Sequence, residues 1–218
     1  MLLLVSGASS VGKTTARLHA RQLLDDTYEN AELSTLGPIP AVQTVAWRQE
    51  RVEVAVRRAI ALEAEGRHLL LAGDPVPLGE ALAAPSADRI DIAACLLDLS
   101  DKAHLARLDL SDEAHLARLA RRGEPSHANQ AFAAWLRAHA HDPGHLPEAV
   151  TNDSWPEMRW DRWVGRSPGP EWAMTVLDTS ALGPEEVGQA VAEWCRRAVA
   201  GEAPVFPAGW FAEVREGR

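Results

Sequence analysis

Apolar residues in this chain fall into short runs that end in glycine or aspartate, separated by longer stretches of near-helical spacing. The first run, Leu2 to Val5, is too short for a buried helix and meets Gly7, which predicts a central strand covered on both faces of a parallel sheet. A helix is predicted over 13 to 25, and Ala31 to Leu36 reads as a weak second strand closed by Gly37-Pro38-Ile39-Pro40. From 45 to 65, Val45, Val52, Val56, Ile60 and Leu62 line one face opposite charged residues, and Gly66 stops the pattern, so this segment is a helix. His68 to Ala72, Ile90 to Leu99 and Met174 to Leu177 repeat the apolar run, and a last helix over 184 to 199 opens on Pro184-Glu185-Glu186. Strands alternating with helices predict βαβ units and an open parallel sheet. Right-handed crossovers gather the loops that follow the strands on one edge, and a site is expected there.

Outside this alternation the pattern weakens. An eleven-residue unit, Asp98 to Leu108, repeats as Asp109 to Leu119. Two copies are too few to stack as a solenoid, so the unit reads as a tandem duplication without a function of its own; eleven residues are close to three helical turns, which would lengthen a helix without rotating its apolar face, the alternative being a second helix capped by Ser111. Residues 123 to 172 are the least regular and read as a lid plus connector. Trp155, Trp160, Trp163 and Trp172 are interleaved there with Arg159, Arg162 and Arg166. They read first as packing over a loop-rich subdomain, with a base-stacking or cation-π platform as the alternative. The extension 201 to 218 carries Phe206, Trp210 and Phe211, which suggests that it docks. The whole chain, 1 to 218, reads as one domain.

Composition narrows the classes. A length of 218 residues with 46% hydrophobic content supports a full core, and a net charge of −9 opposes general affinity for nucleic-acid backbones. No nucleic-acid or membrane partner is expected. Cys95 and Cys195 sit far apart in apolar segments and read as buried small hydrophobes in a reducing compartment. Met1 leads straight into the apolar run without the basic stretch of a signal peptide, and no apolar run approaches the roughly 20 residues of a membrane span. A cytoplasmic protein is expected. Six of the eight histidines lie between 104 and 145, at spacings that match no zinc pattern; His127 is the better candidate for a substrate contact.

The sharpest chemical signal is Gly7-Ala8-Ser9-Ser10-Val11-Gly12-Lys13-Thr14, which matches G-x-x-x-x-G-K-[ST] between a predicted strand and a predicted helix. Such a loop turns backbone N–H groups inward as an anion nest, and the helix that follows adds its positive end. Gly7 to Thr15 are therefore the expected triphosphate-binding residues, with Lys13 reaching the β and γ phosphates and the Thr14 hydroxyl on Mg²⁺. Asp74, at the end of the His68 to Ala72 run, is expected to hold Mg²⁺ or to accept a proton from a substrate hydroxyl, the simpler alternative being a turn at Asp74-Pro75. Arg118, Arg121 and Arg122 end a helix where a lid would hinge, and Arg118 and Arg122 are candidates to clamp a transferring phosphoryl group. They also suit a helix C-terminus whatever the function. Arg48 and Arg51 read first as a solvated helix face, with contact to an anionic substrate as the alternative.

On the residues Gly7 to Thr14, Leu71 to Asp74, Leu116 to Gly123 and Leu177 to Ser180, the chain resembles the P-loop small-molecule and nucleotide kinase superfamily, which includes adenylate, shikimate, gluconate and adenylylsulfate kinases and chloramphenicol phosphotransferase. The resemblance implies a three-layer α/β/α P-loop NTPase fold with a mostly parallel sheet of about five strands and a helical lid. It also implies use of ATP and Mg²⁺, and adenine lying near Thr179 and Ser180. The loop is more similar to those of adenylylsulfate and chloramphenicol kinases than to the Gly-Pro-Gly form of adenylate kinases, and no shikimate-type Asp-x-Asp pair follows the second strand. The expected function is phosphoryl transfer from ATP to a small metabolite, nucleotide or antibiotic-like hydroxyl acceptor. The competing reading is a nucleotide-binding switch that exposes its tryptophan-rich face to a protein partner.

Overall fold

A computed structural model describes residues 1–99, 126–166 and 172–213. Five parallel strands form one sheet: β1 (Leu2–Ser6), β2 (Tyr28–Ala31), β3 (His68–Ala72), β4 (Ile92–Asp98) and β5 (Thr175–Asp178), in the order β2-β3-β1-β4-β5. All five residues of β1 are buried, as the unbroken apolar run requires of the central strand of a sheet covered on both faces. Its register, Val5 opposite Ala72 and Ser6 opposite Leu96, brings the ends of β3 and β4 level with its own.

Helix α1 (Lys13–Leu23) leads from β1 to β2, and α2 (Val45–Glu63) and α3 (Leu78–Ala83) follow β2 and β3. Further on come α4 (Ser126–His139), α5 (Glu148–Thr151), α6 (Pro184–Val199) and α7 (Trp210–Glu213). Helices α1 and α6 pack together, as do α2 and α3, and the right-handed crossover rule puts the two pairs on opposite faces. The result is an α/β architecture around an all-parallel sheet.

Several elements differ from the sequence expectation. The second strand is Tyr28–Ala31, and Leu33–Thr35 is a 3₁₀ turn instead of the end of a strand. This strand lies at the sheet edge and is only half buried, so Tyr28, Glu29 and Asn30 give no apolar run to read. Helix α3 is buried on every side and so shows no amphipathic period. The Ala-rich part of the segment read as irregular is the fourteen-residue helix α4. Residues 126–166 supply core side chains, among them Trp135, Leu136, Val150 and Trp163. The C-terminal extension docks, because Phe206 exchanges two backbone hydrogen bonds with Ile92 of β4, at 2.8 and 2.9 Å. The eleven-residue repeat from Ser100 onward lies outside the described residues. Cys95 and Cys195 are both free and buried, as expected.

Close contact of α1 with α6 depends on Gly188, where a Cβ would stand 2.3 Å from His19 Cβ and 3.3 Å from the Ala20 nitrogen. Alanine favours a helix over glycine by about 1 kcal/mol, but overpacking typically costs about 1–3 kcal/mol. Gly188→Ala is therefore expected to lower the urea midpoint by a net loss of up to about 2 kcal/mol. A midpoint that rises would show that the two helices can part without penalty.

Candidate functional site

The carboxyl ends of β1, β2 and β3 meet at the loop Gly7 to Thr14. Gly7 has φ 147°, and a Cβ there would stand 2.9 Å from the Leu97 carbonyl oxygen of β4, so the tight exit from β1 needs glycine. Ser10 (φ 68°) and Gly12 (φ 97°) are also left-handed, and they coil the loop back before helix α1 begins at Lys13. Ala8 and Val11 are buried and anchor the loop, Ser9 and Ser10 are half buried, and Thr14 and Thr15 are exposed at the start of α1.

The Lys13 ammonium turns back into the loop and donates to the Gly7 carbonyl at 2.7 Å and the Ala8 carbonyl at 2.6 Å. Burial pushes its pKa down to about 8, opposed by the negative charge of Asp74. The ammonium is thus held where it is poorly hydrated, a state that an incoming anion would relieve.

Asp74 follows Gly73 (φ 127°) at the end of β3 and accepts a hydrogen bond from the Leu33 N–H at 2.7 Å through Oδ2, which ties it to the end of β2. Two residues that the sequence reading missed complete this corner. Glu32 lies across Gly73, within 3.0 Å of where a Cβ would be, and its Oε1 accepts from Arg17 Nη2 at 2.5 Å. Available signals were the position of Glu32 just after a strand and the i,i+4 spacing of Lys13 and Arg17, which puts both on one face of α1.

Arg48 and Arg51 are not a solvated face. Arg48 binds Glu80 through Nε (2.8 Å) and Nη2 (2.6 Å), and Arg51 Nη1 donates to the Leu36 carbonyl at 3.2 Å. The sequence shows neither, because Glu80 lies on the buried helix α3. Thr179 reaches the same sheet edge, but its N–H and its hydroxyl both donate to the Asp98 carbonyl at 2.8 Å, joining the ends of β4 and β5. The Ser180 N–H donates to Asp178 Oδ1 at 2.9 Å. Asp98 also lies 3.4 Å from Arg137 of α4, in a narrow crevice beside Ala8 and Val11. Arg118, Arg121 and Arg122 lie outside the described residues, and so does the side chain of His127. Among the described residues, no three His, Cys, Asp or Glu side chains converge as a metal site.

The tryptophans resolve as packing. Indole N–H groups of Trp163 and Trp172 donate to the carbonyls of Gly79 and His139 at 2.9 Å, and Trp135 donates to those of His145 and Leu146 at 3.0 Å. His139 stacks on Trp135 with ring centroids 4.7 Å apart, and its Nε2 accepts the Gly79 N–H at 3.1 Å. The neighbouring arginines are structural as well. Arg162 is buried and donates to the carbonyls of Leu82, Ala84 and Pro85, Arg159 pairs with Asp161, and Arg166 donates to the Phe211 carbonyl. The cluster fixes Gly79, five residues beyond Asp74, from the far side of the chain.

No protein-family model matches the chain, and no curated protein matches it. What it shares with known proteins is a fold: the chain has a kinase-like α/β architecture. A solved structure similar to it is that of an unliganded sugar kinase from Janibacter sp. HTCC2649, at 16% identity and a TM-score of 0.53, over 91% of this chain and 96% of that one. No helix among the described residues is long and apolar enough to cross a membrane.

Burial lowers the His139 pKa to about 4, opposed by a smaller effect of Asp142 and reinforced by a smaller one of His145. The ring accepts from Gly79 and so must be neutral in the fold, whereas the unfolded chain takes up its proton near pH 6.5. The associated stability is complete above about pH 6.5 and is lost as the pH falls toward 4, on the order of 3 kcal/mol in all. Urea unfolding followed from pH 7.5 to 4.5 should show this slope in the natural protein and a flatter one in His139→Gln, which keeps an acceptor for Gly79. Equal slopes would remove His139 as its source.

Proposed function

We propose that this protein is an ATP- and Mg²⁺-dependent phosphotransferase that acts on a hydroxyl group of a small molecule. The observation that supports this best is the conjunction at the ends of β1 and β3. A glycine-bounded loop closes on the buried Lys13 ammonium, and Asp74 lies within its electrostatic reach. The sugar kinase of similar fold favours the same class of chemistry.

The residues present fit the groups this reaction needs. Gly12 has open space where a Cβ would project, and α1 starts immediately after it, which suits a phosphate chain seated on the amides of Gly7 to Thr15. The Thr14 hydroxyl and the Asp74 carboxylate are hard oxygen donors, suited to a Mg²⁺ ion that takes its other ligands from phosphate oxygens and water. Bound Mg²⁺ would supply charge neutralisation at the β and γ phosphates.

In this reading Lys13 moves its hydrogen bonds from the loop carbonyls to phosphate oxygens and neutralises charge there. Asp74, its Oδ2 fixed by Leu33, orients the acceptor hydroxyl or takes its proton as the new O–P bond forms and the bond from the γ-phosphorus to the bridging oxygen breaks. Arg118 and Arg122 are proposed to close over the migrating group, and Thr179 and Ser180 to border the adenine, a cytoplasmic location suiting use of ATP. A switch that exposes tryptophans gains no support, because Trp135, Trp163 and Trp172 are buried.

Lys13→Ala should reduce ATP-dependent phosphorylation across a panel of sugars, cyclitols, nucleosides and nucleotides at least 100-fold while the circular dichroism spectrum stays unchanged. Undiminished transfer would sink the assignment. The lowered pKa of Lys13 predicts a pH effect as well. Below about pH 8 the lysine is charged before ATP arrives, whereas above it the free protein has lost that proton and binding must restore it. ATP affinity should therefore fall toward tenfold per pH unit above about pH 8, with proton uptake visible by calorimetry in buffers of different ionisation enthalpy. A pH-independent affinity between 7 and 9.5 would remove Lys13 from the binding step.

A further inference from the structure

The loop that joins β2 to α2 is apolar and open to solvent. Residues 36–44 have no regular structure and carry no charge, and 38–44 are all exposed. Ile39 shows 52% of its surface and Val42 73%, the most of any large apolar side chain among the described residues. Trp47, in the first turn of α2, continues the patch. All eight tryptophans are among the described residues, and Trp47 alone is neither buried in the core nor packed against it. Its side chain makes one hydrogen bond among the described residues, from the indole N–H to the Pro38 carbonyl at 3.4 Å.

The patch is braced, and it borders the acidic corner of the site. Pro38 and Pro40 restrict the backbone of the loop. Arg51 Nη1 holds the Leu36 carbonyl at 3.2 Å, its guanidinium lying where a Cβ on Gly37 would collide with it. At the other end the Thr44 hydroxyl accepts the Trp47 backbone N–H at 3.1 Å and caps α2. The loop leaves the 3₁₀ turn whose Leu33 N–H holds Asp74, and it returns beside Arg48, which is within reach of the Asp74 charge and clamped to Glu80. A hydroxyl group presented to Asp74 therefore has this patch next to it. Side chains that add nothing to the core, held outward on a braced loop at the mouth of a site, are what a ligand covers. Three side chains cannot supply the roughly 800 Å² per partner of a standard protein interface, but they match the area of a single ring.

We infer that Trp47, Ile39 and Val42 form the acceptor platform, and that the acceptor is a hydroxylated small molecule carrying an apolar ring beside the part that bears its hydroxyl. This rests on the reading of the protein as a phosphotransferase. The flat indole stacks on the ring while Ile39 and Val42 cover its edge, and the bracing limits the entropy lost on binding. The three residues determine specificity away from the reacting atoms. A ring held equally in the ground and transition states strengthens binding without speeding the chemical step, so the preference is expected in KM and not in kcat.

The test offers acceptors in pairs that differ by the ring: a phenyl and a methyl glucoside, a nucleoside and its free pentose, a phenylpropanediol and propanediol. Each is incubated with the full-length protein, Mg²⁺ and γ-³²P-labelled ATP, beside a cellular small-molecule extract separated by reversed-phase chromatography. The expected result is label in the retained, apolar fraction and kcat/KM for the ring-bearing member about tenfold or more above its counterpart, through KM. Trp47→Ala should bring that ratio to within about twofold of unity, whereas Trp47→Phe, which keeps an aromatic face, should preserve most of it. Ile39→Ser combined with Val42→Ser alters only exposed positions, so it tests the platform even where Trp47→Ala fails to fold, and it should narrow the ratio in the same direction. Equal kcat/KM within the pairs, or a preference that survives in the folded variants, would overturn the inference and leave the phosphotransferase reading standing. A dimer of the natural protein on gel filtration that the variants dissociate, with acceptor preference intact, would assign the patch to a second copy of the chain and overturn the inference likewise. No labelled acceptor in any pair or fraction would overturn the phosphotransferase reading itself, and the inference with it.

Discussion

The site depends on a cation held out of water. Lys13 is buried at the first turn of α1, and its ammonium is satisfied by two carbonyls of the loop that carries it, Gly7 and Ala8. Those carbonyls are turned that way because the chain leaves a fully buried central strand and reverses through left-handed positions, at Gly7 under the Leu97 carbonyl and again at Ser10 and Gly12. Central strand, tight reversal and buried lysine therefore require one another. A charge this poorly hydrated suits a loop that receives an anion, since the binding energy need not first displace a shell of water.

Support for the acidic side of the site comes from distant sequence. Asp74 is fixed by Leu33 at the end of β2, and the residues that follow it are clamped at Gly79 between His139 and Trp163. A Cβ on Gly79 would stand 2.5 Å from the Trp163 ring, so the clamp works only around a glycine. Arg162 holds the other end of the same short helix by its carbonyls. The tryptophan-rich segment thus serves the sheet edge as a brace: the indole N–H groups of Trp163 and Trp172 and the Arg162 guanidinium donate to backbone carbonyls, in a core where unpaired polar groups would be costly.

Charge organisation follows the same economy. The chain is acidic overall, yet its described arginines around the loop Gly7 to Thr14 sit in pairs with glutamates or on carbonyls, and the network of half-buried Arg48 with buried Glu80 and Gln49 ties α2, α3 and residues 150–155 together. Such a network is a weak source of stability, but it fixes which groups remain free to meet a ligand. The net charge of −9 says nothing of this local balance.

Four of the five strands, the three long helices that follow β1, β2 and β5, and the loop from Gly7 to Thr14 were legible in the sequence, because buried strands and amphipathic helices write their burial into local periodicity and the loop into its glycine spacing. The edge strand β2 was misplaced and α3 unseen for the converse reason: one is half buried and polar, the other buried all round, and neither leaves a period. Glu32, Arg17 and Glu80 became visible only when strand order 2-3-1-4-5 brought three strand ends together, since their partners lie 15 to 32 residues away. Local sequence determined the buried strands, the amphipathic helices and where a phosphate is expected. Only the tertiary structure decided which cations are already neutralised, because an ion pair across elements is a property of distance in space, which sequence spacing does not encode.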